Sequence, residues 1–373
     1  MSFRITGIGT QAPKYSLNQA ETARVASRLC CTSDEQERLL SVLSRRTRIK
    51  RRSSVLLEES GGVATHDFFR LPRTSDDRGP GTKDRMGKFE EYAGKMGLGA
   101  CRKALRTAQL TGEEVTHLIT VSCTGFYAPG VDYEIITSLG LPPSVERTQI
   151  GFMGCQAALN ALRVASSLCA ANASAQVLIC SVELCSLHFQ YGWDPNRIVS
   201  NSIFADGAGA IVGTGDGGDN PDCWRILGNG SYLVPNSADA MTWKIGDHGF
   251  DMTLSARVPD LIDRHLADWL DKWLAGYGLR RSEIGSWAIH PGGPRILVAA
   301  ERALGISSGD TQVSRNVLTN FGNMSSATMF FVLEQLIGKQ APLPCVALGF
   351  GPGLTIEAAL FGAERPKQST NGD

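Results

Sequence analysis

A cysteine, a histidine and an asparagine each stand where an apolar run gives way to small residues. Cys155 lies in GFMGCQAALN (residues 151–160), His290 in WAIHPGGP (287–294) and Asn323 in NFGNMSS (320–326). A thiol at the start of a helix faces unpaired N–H groups and the positive end of the helix dipole, and both favour thiolate. The Pro-Gly-Gly turn after His290 ends a strand and presents its imidazole there. The three side chains would serve as nucleophile, base and hydrogen-bond donor. Each also has a plainer use: Cys155 as a small core residue, His290 as a surface or capping residue, Asn323 and its serines as a helix cap. Only convergence of all three on one point makes a site.

An internal duplication supplies that convergence. RITGIG near the N-terminus resembles RILGNG (225–230), EVTHLITV (114–121) resembles EIGSWAIH (283–290), and VLICS (177–181) resembles CVALG (345–349). The junction around Gly154 and Cys155 pairs with the one around Asn323. The last three matches recur at an offset of about 169 residues, while the first is longer by about fifty. The first half, residues 1–220, is therefore expected to carry an insert, about residues 40–95, which the second half, 221–373, lacks. Short β-rich runs alternate with helical patterns, an α/β class. In each half one helix is apolar nearly all round, residues 157–168 and 327–336, and such helices belong inside, between sheets. The expected architecture is a duplicated α/β/α/β/α five-layered sandwich with pseudo-twofold symmetry. Its axis brings the starts of the two central helices together, and with them Cys155 and Asn323. The polar, turn-rich stretch 71–87 reads as a mobile loop.

Composition narrows the function classes. The 373 residues carry 37 basic and 37 acidic side chains, so no net field draws the chain to nucleic acid or an anionic membrane. The N-terminal residues lack a basic-then-apolar signal, and no apolar run approaches the ~18 residues of a spanning helix, which implies a cytoplasmic protein. Ten cysteines with no CxxC pair and no Cys/His cluster read as reduced thiols, not as a disulfide framework or a metal site. The basic run RRTRIKRR (45–52) has no interleaved aromatics, which argues against nucleic acid.

MGCQAALNALRVA, HPGGPRIL, FGNMSSA and GFGPGLTIE, in this order, resemble the signature set of the type III polyketide synthases, relatives of the plant chalcone synthases. The resemblance covers essentially the whole chain and implies a thiolase-like fold and a homodimer. Cys155 would hold the growing acyl chain as a thioester. His290 would pair with the thiolate as imidazolium, and with Asn323 it would stabilise the enolate left when malonyl-CoA loses CO₂. No bound cofactor or metal is implied. Coenzyme A thioesters are the substrates, and cations of the 45–52 run, Arg46 first and then Arg48 and Lys50, would hold their phosphates.

The resemblance also marks the substrate-binding surface. Phe204 matches a phenylalanine at the mouth of the active site, and Met252 stands where plant members have a second one. Cys185 and His188 occupy positions where plant enzymes commonly have threonine. Ala128 lies near a position that reaches across the dimer, on a loop shorter than in plants. Ser325, Gly292, Gly293, Phe350 and Pro352 complete the set. These replacements favour a long fatty-acyl starter, as in bacterial alkylpyrone or alkylresorcinol synthases. A single-condensation ketoacyl synthase III-like enzyme would differ in the number of C2 units added. A catalytically silent acyl-CoA-binding scaffold would differ in having no fast-reacting Cys155.

Overall fold

A computed structural model describes residues 3–60, 63–215 and 224–363. The expected boundary near residue 220 lies outside the described residues. The chain opens with β1 (Arg4–Gln11), β2 (Ser16–Asn18), α1 (Gln19–Cys30), α2 (Asp34–Arg46), β3 (Arg51–Ser53), β4 (Glu58–Ser60) and β5 (Val63–Thr65). There follow α3 (Thr82–Ala108), β6 (His117–Ser122), α4 (Val131–Leu139), β7 (Glu146–Gly151), α5 (Ala157–Ala171), β8 (Gln176–Leu184), α6 (Pro195–Ile203) and β9 (Asp206–Thr214). The second half contains β10 (Arg225–Leu233), β11 (Met241–Gly246), β12 (Gly249–Leu254), α7 (Val258–Ala275), β13 (Ser286–Ile289) and α8 (Pro294–Leu304). It ends with α9 (Gln312–Phe321), α10 (Ala327–Gly338), β14 (Cys345–Gly351) and β15 (Thr355–Gly362).

The duplication is visible in strand pairing. The strand order is β13-β14-β15-β10-β1-β9-β8-β6-β7, with β1 and β10 meeting at a seam where Arg4 pairs with Arg225. Outward from that seam the two sides repeat. β9 and β15 run antiparallel to β1 and β10, β8 and β14 run antiparallel to those, and β6 and β13 lie parallel to β8 and β14. β7 adds an outer strand to the first half.

Apolar patterning builds five layers from these halves. α5 and α10 are buried along most of their length, including Ala157–Leu162 and Ala327–Leu333, and share one core with strands of both halves. α3 covers the outer face of the first half, and α7 and α8 cover that of the second. The sandwich is therefore as expected.

Three local readings change. α3 begins at Thr82, so the stretch read as a loop over 71–87 is already helical in its last turn and a half. α3 is the outer-layer counterpart of α7, so the extra elements of the first half lie between Ser16 and Thr65 and do not reach about residue 95. The central helices begin at Ala157 and Ala327, which sets Cys155 opposite Ser325, one residue away from the pairing that sets Gly154 opposite Asn323. Glycine, serine and alanine fit either alignment, and only the helix starts decide it.

Two contacts hold the second half's site-bearing segments. α8 follows His290, α9 leads to Asn323, and Glu301 of α8 takes a bidentate ion pair from Arg315 of α9 at 2.5 and 2.6 Å. Inside the central layer Phe330 is fully buried among residues of both halves. Phe330→Ala is expected to destabilise the protein by about 3–5 kcal/mol, the usual range for an emptied aromatic core site. Thermal or urea unfolding checks it, and a loss below 1 kcal/mol would show that the central layer is not the shared core.

Candidate active site

The turn between β7 and α5 meets the turn between α9 and α10, as the duplication requires, although the second follows a helix and not the expected strand. Cys155 lies in the turn between β7 and α5 and is buried, and the side chains of Asn323 and Ser325 stand near enough to its thiol to pull its pKa down. Asn323 is itself anchored on several sides. Its N–H donates to Ile203 O and its carbonyl accepts from Ala205 N–H, both at 2.9 Å, which bridges it to the Phe204 turn. Its side-chain Oδ1 accepts from Ser325 N–H at 2.9 Å, and its Nδ2 donates to Gly292 O at 3.4 Å. The asparagine and serines do not cap α10 through their side chains. Ser326 instead donates to the buried carboxylate of Glu183.

His290 extends β13, its N–H donating to Leu348 O at 2.8 Å. It is not at the surface, as a strand-end histidine usually is, but 1% exposed, and neither ring nitrogen has a hydrogen-bond partner. Gly292 N–H donates to His290 O at 3.0 Å, so the turn that receives Asn323 Nδ2 is folded against the histidine. Burial pushes the imidazole down to about 3 and the Cys155 thiol up to about 11, although Ser325 and Asn323 pull the thiol the other way. Burial thus works against the charged form of both groups, and so against a standing imidazolium–thiolate pair.

A cavity opens onto Cys155 and is walled mostly by apolar side chains. Phe204, Met252, Cys185, His188, Ser325 and Pro352 all line it. His290 and Asn323 are not among its lining residues. Gly292 and Gly293 form the turn into α8. Phe350 was expected on the substrate surface, but it points into the outer core with Leu348 and Ile356. Strand alternation explains this: its neighbours Gly349 and Gly351 face Gln156 on the inner side. Ala128 is exposed and away from the cavity, as are Arg46, Arg48 and Lys50.

Several wall residues are not among those singled out above. Arg52 ends the basic run but turns inward. Its Nη1 donates to Asn201 O at 2.8 Å and Phe204 O at 2.6 Å, so it holds the mouth phenylalanine by its backbone, and burial lowers its guanidinium to about 10. Leu17, Val25 and Leu29 extend the apolar wall toward α1. Arg197 and Asp251 line it as an ion pair at 2.8 Å. The apolar spacing of α1 and the two serines that follow Arg52 were the only signals available. Among the described residues no group of His, Cys, Asp and Glu could hold a metal, the nine described cysteines are free, and no helix is long and apolar enough to cross a membrane.

Comparison with known proteins bears on this arrangement. The family models for the N-terminal and C-terminal domains of chalcone and stilbene synthases match residues 3–216 and 228–363. The chain is 33% identical to the alpha-pyrone synthesis polyketide synthase-like Pks18 of Mycobacterium tuberculosis, over 96% of this chain and 90% of that protein. It is 32% identical to the 3,5-dihydroxyphenylacetyl-CoA synthase of Amycolatopsis balhimycina, over 96% and 92%. The crystal structure of PKS-I from the brown alga Ectocarpus siliculosus superposes with a TM-score of 0.90 at 31% identity, over 97% of this chain and 99% of that one.

The upward shift of the Cys155 thiol makes a kinetic prediction. Below its pKa the thiolate fraction grows about tenfold per pH unit, so alkylation of Cys155 by iodoacetamide should climb about tenfold per unit between pH 7 and 9. Peptide mapping with Cys155→Ala as control reads it. A rate already level at pH 7 would mean a preformed ion pair.

Proposed function

The chain belongs to the chalcone and stilbene synthase family and is a type III polyketide synthase, a decarboxylating acyltransferase; from that premise we propose that Cys155, His290 and Asn323 extend a fatty-acyl starter with malonyl units. The observation that carries this reading is the mostly apolar cavity that opens onto the buried Cys155 thiol, with Ser325 in the same wall. An apolar wall of that extent suits an alkyl chain better than a small polar starter.

In the loading step, His290 takes the Cys155 proton as sulfur attacks the acyl-CoA carbonyl. The thiolate and imidazolium form together, on demand, and the proton leaves with the coenzyme A thiolate. In the extension step, malonyl-CoA loses CO₂ and negative charge gathers on the thioester oxygen. The N–H of neutral His290 and the amide of Asn323 are the donors for that oxygen. A neutral imidazole is a weak acid, so it stabilises the enolate without protonating its carbon. The enolate carbon then attacks the acyl-Cys155 thioester, forming the C–C bond and expelling the Cys155 thiolate. The longer chain returns to Cys155, and ring closure releases a pyrone or resorcinol-type product. The thioester supplies the activation and CO₂ loss the driving force.

Substrate delivery belongs to the same proposal. Arg46, Arg48 and Lys50 are exposed, and Lys50 N–H donates to Thr319 O at 2.7 Å in α9, the helix that leads to Asn323. These cations would hold the coenzyme A phosphates while the pantetheine arm reaches inward. A homodimer is the assembly that fits the surface, because β7 presents an open strand edge and Phe126 and Met153 beside it are exposed.

Purified protein given labelled malonyl-CoA and acyl-CoAs of several chain lengths should form extractable products carrying two or more added C2 units, with long acyl starters preferred. Cys155→Ala should abolish product. His290→Ala and Asn323→Ala should each slow malonyl-CoA decarboxylation by roughly 10²–10³-fold, the usual loss of an oxyanion donor. Inactivity with every starter, or an active Cys155→Ala, would overturn the proposal.

A further inference from the structure

His188 sits in the cavity wall, 5% exposed, and both of its ring nitrogens are engaged. Nδ1 accepts from Phe250 N–H at 2.9 Å, so the proton is on Nε2, which donates to Thr124 O at 2.7 Å. The imidazole thereby joins two segments far apart in sequence: the turn after β6 and strand β12. Its ring lies flat on Phe250, centroids 4.2 Å apart and planes at 13°, and edge-on to Trp243 at 5.4 Å. Trp243 Nε1 donates to Cys123 O at 2.7 Å, so the neighbouring turn carbonyl is tied to the same hairpin from β11. His188, Phe250, Trp243, Cys123 and Thr124 all line the cavity that holds Cys155.

The backbone around His188 is equally constrained. Arg85, fully buried without a carboxylate partner, donates from Nη1 to Leu187 O at 2.6 Å and Phe189 O at 2.8 Å. Gln190 Nε2 donates to His188 O and to Phe250 O, each at 3.2 Å. Strand β12 also carries Met252, which lines the cavity two residues from Phe250. A group that donates at one end and accepts at the other, across a flat ring, is what a neutral imidazole provides. Burial lowers His188 to about 3, so it stays in that form at neutral pH.

We propose that His188 is a positioning residue: it clamps the β11–β12 hairpin to the Cys123–Thr124 turn as one rigid wall, and that wall limits the length of alkyl chain Cys155 can carry. The proposal rests on the reading of the cavity as the acyl site. Removing the imidazole leaves Phe250 N–H and Thr124 O unpaired and takes a ring's volume out of the wall, so the hairpin that bears Met252 loses its stop.

Alkylation of Cys155 by N-alkyl iodoacetamides of increasing chain length tests this without any turnover. The wild type should show a chain-length limit, and His188→Ala should raise it by roughly two to four methylene groups, the volume of the lost ring. In the product assay the same variant should accept longer starters or add further C2 units. Phe250→Leu keeps the backbone N–H bond but removes the stacked ring, so it should shift the limit in the same direction even if His188→Ala does not fold. An unchanged limit in the variants that still react with iodoacetamide itself would overturn the proposal. A wild type that labels with a clear limit yet makes no polyketide would count against the proposed reaction and leave the wall's role standing.

Discussion

No side chain fits between Gln156 and the strand that faces it, and the active-site turn depends on that exclusion. A Cβ on Gly349 would stand 2.9 Å from Gln156 Cβ and 3.0 Å from its Cα, closer than real contacts allow. Gly154, just before Cys155, has φ of +89° and meets Pro352 so closely that a Cβ would overlap its ring. Strand β14 of the second half therefore lies flush against the Cys155 turn of the first. Cys155 comes from one half, while His290 and Asn323 come from the other. Neither half can build the site alone, and the Gly-Phe-Gly-Pro-Gly segment is spaced to let them touch.

The same burial acts on the site's charges. It disfavours the charged forms of both Cys155 and His290, so in the proposed reaction the charges form in pairs as substrate arrives. That suits a reaction which alternates between a thiolate nucleophile and an enolate. A permanent imidazolium beside the enolate would offer it a proton, whereas a neutral imidazole N–H and an amide offer only hydrogen bonds. The walls follow a different logic. Arg52, Arg85, Gln190 and His188 spend their polar atoms on backbone carbonyls and amides around the cavity. They shape an apolar space and leave few free polar groups inside it.

How much of this was legible in the sequence depends on the range of the interaction. The sandwich and the meeting of Cys155 with Asn323 were legible because the repeated halves put the same small-residue junction before two all-round apolar helices. The alignment slipped by one residue because small residues do not distinguish neighbouring registers. Phe350 was misplaced by motif membership, although strand alternation with Gly349 and Gly351 would have turned it outward. Arg52 was hidden by its neighbours: in a run of eight mostly basic residues nothing local says that one faces inward. Burial of His290 was equally invisible, since it arises from elements before and after it closing over one turn.

The central claim is that Cys155 carries the chain covalently within the apolar cavity. Intact-protein mass spectrometry after brief mixing with a long-chain acyl-CoA tests it most directly. One acyl mass should appear on the wild-type chain, map to Cys155, vanish on adding malonyl-CoA, and be missing from Cys155→Ala. An adduct on another cysteine, or turnover to product with Cys155 shown to stay unacylated throughout, would contradict the account.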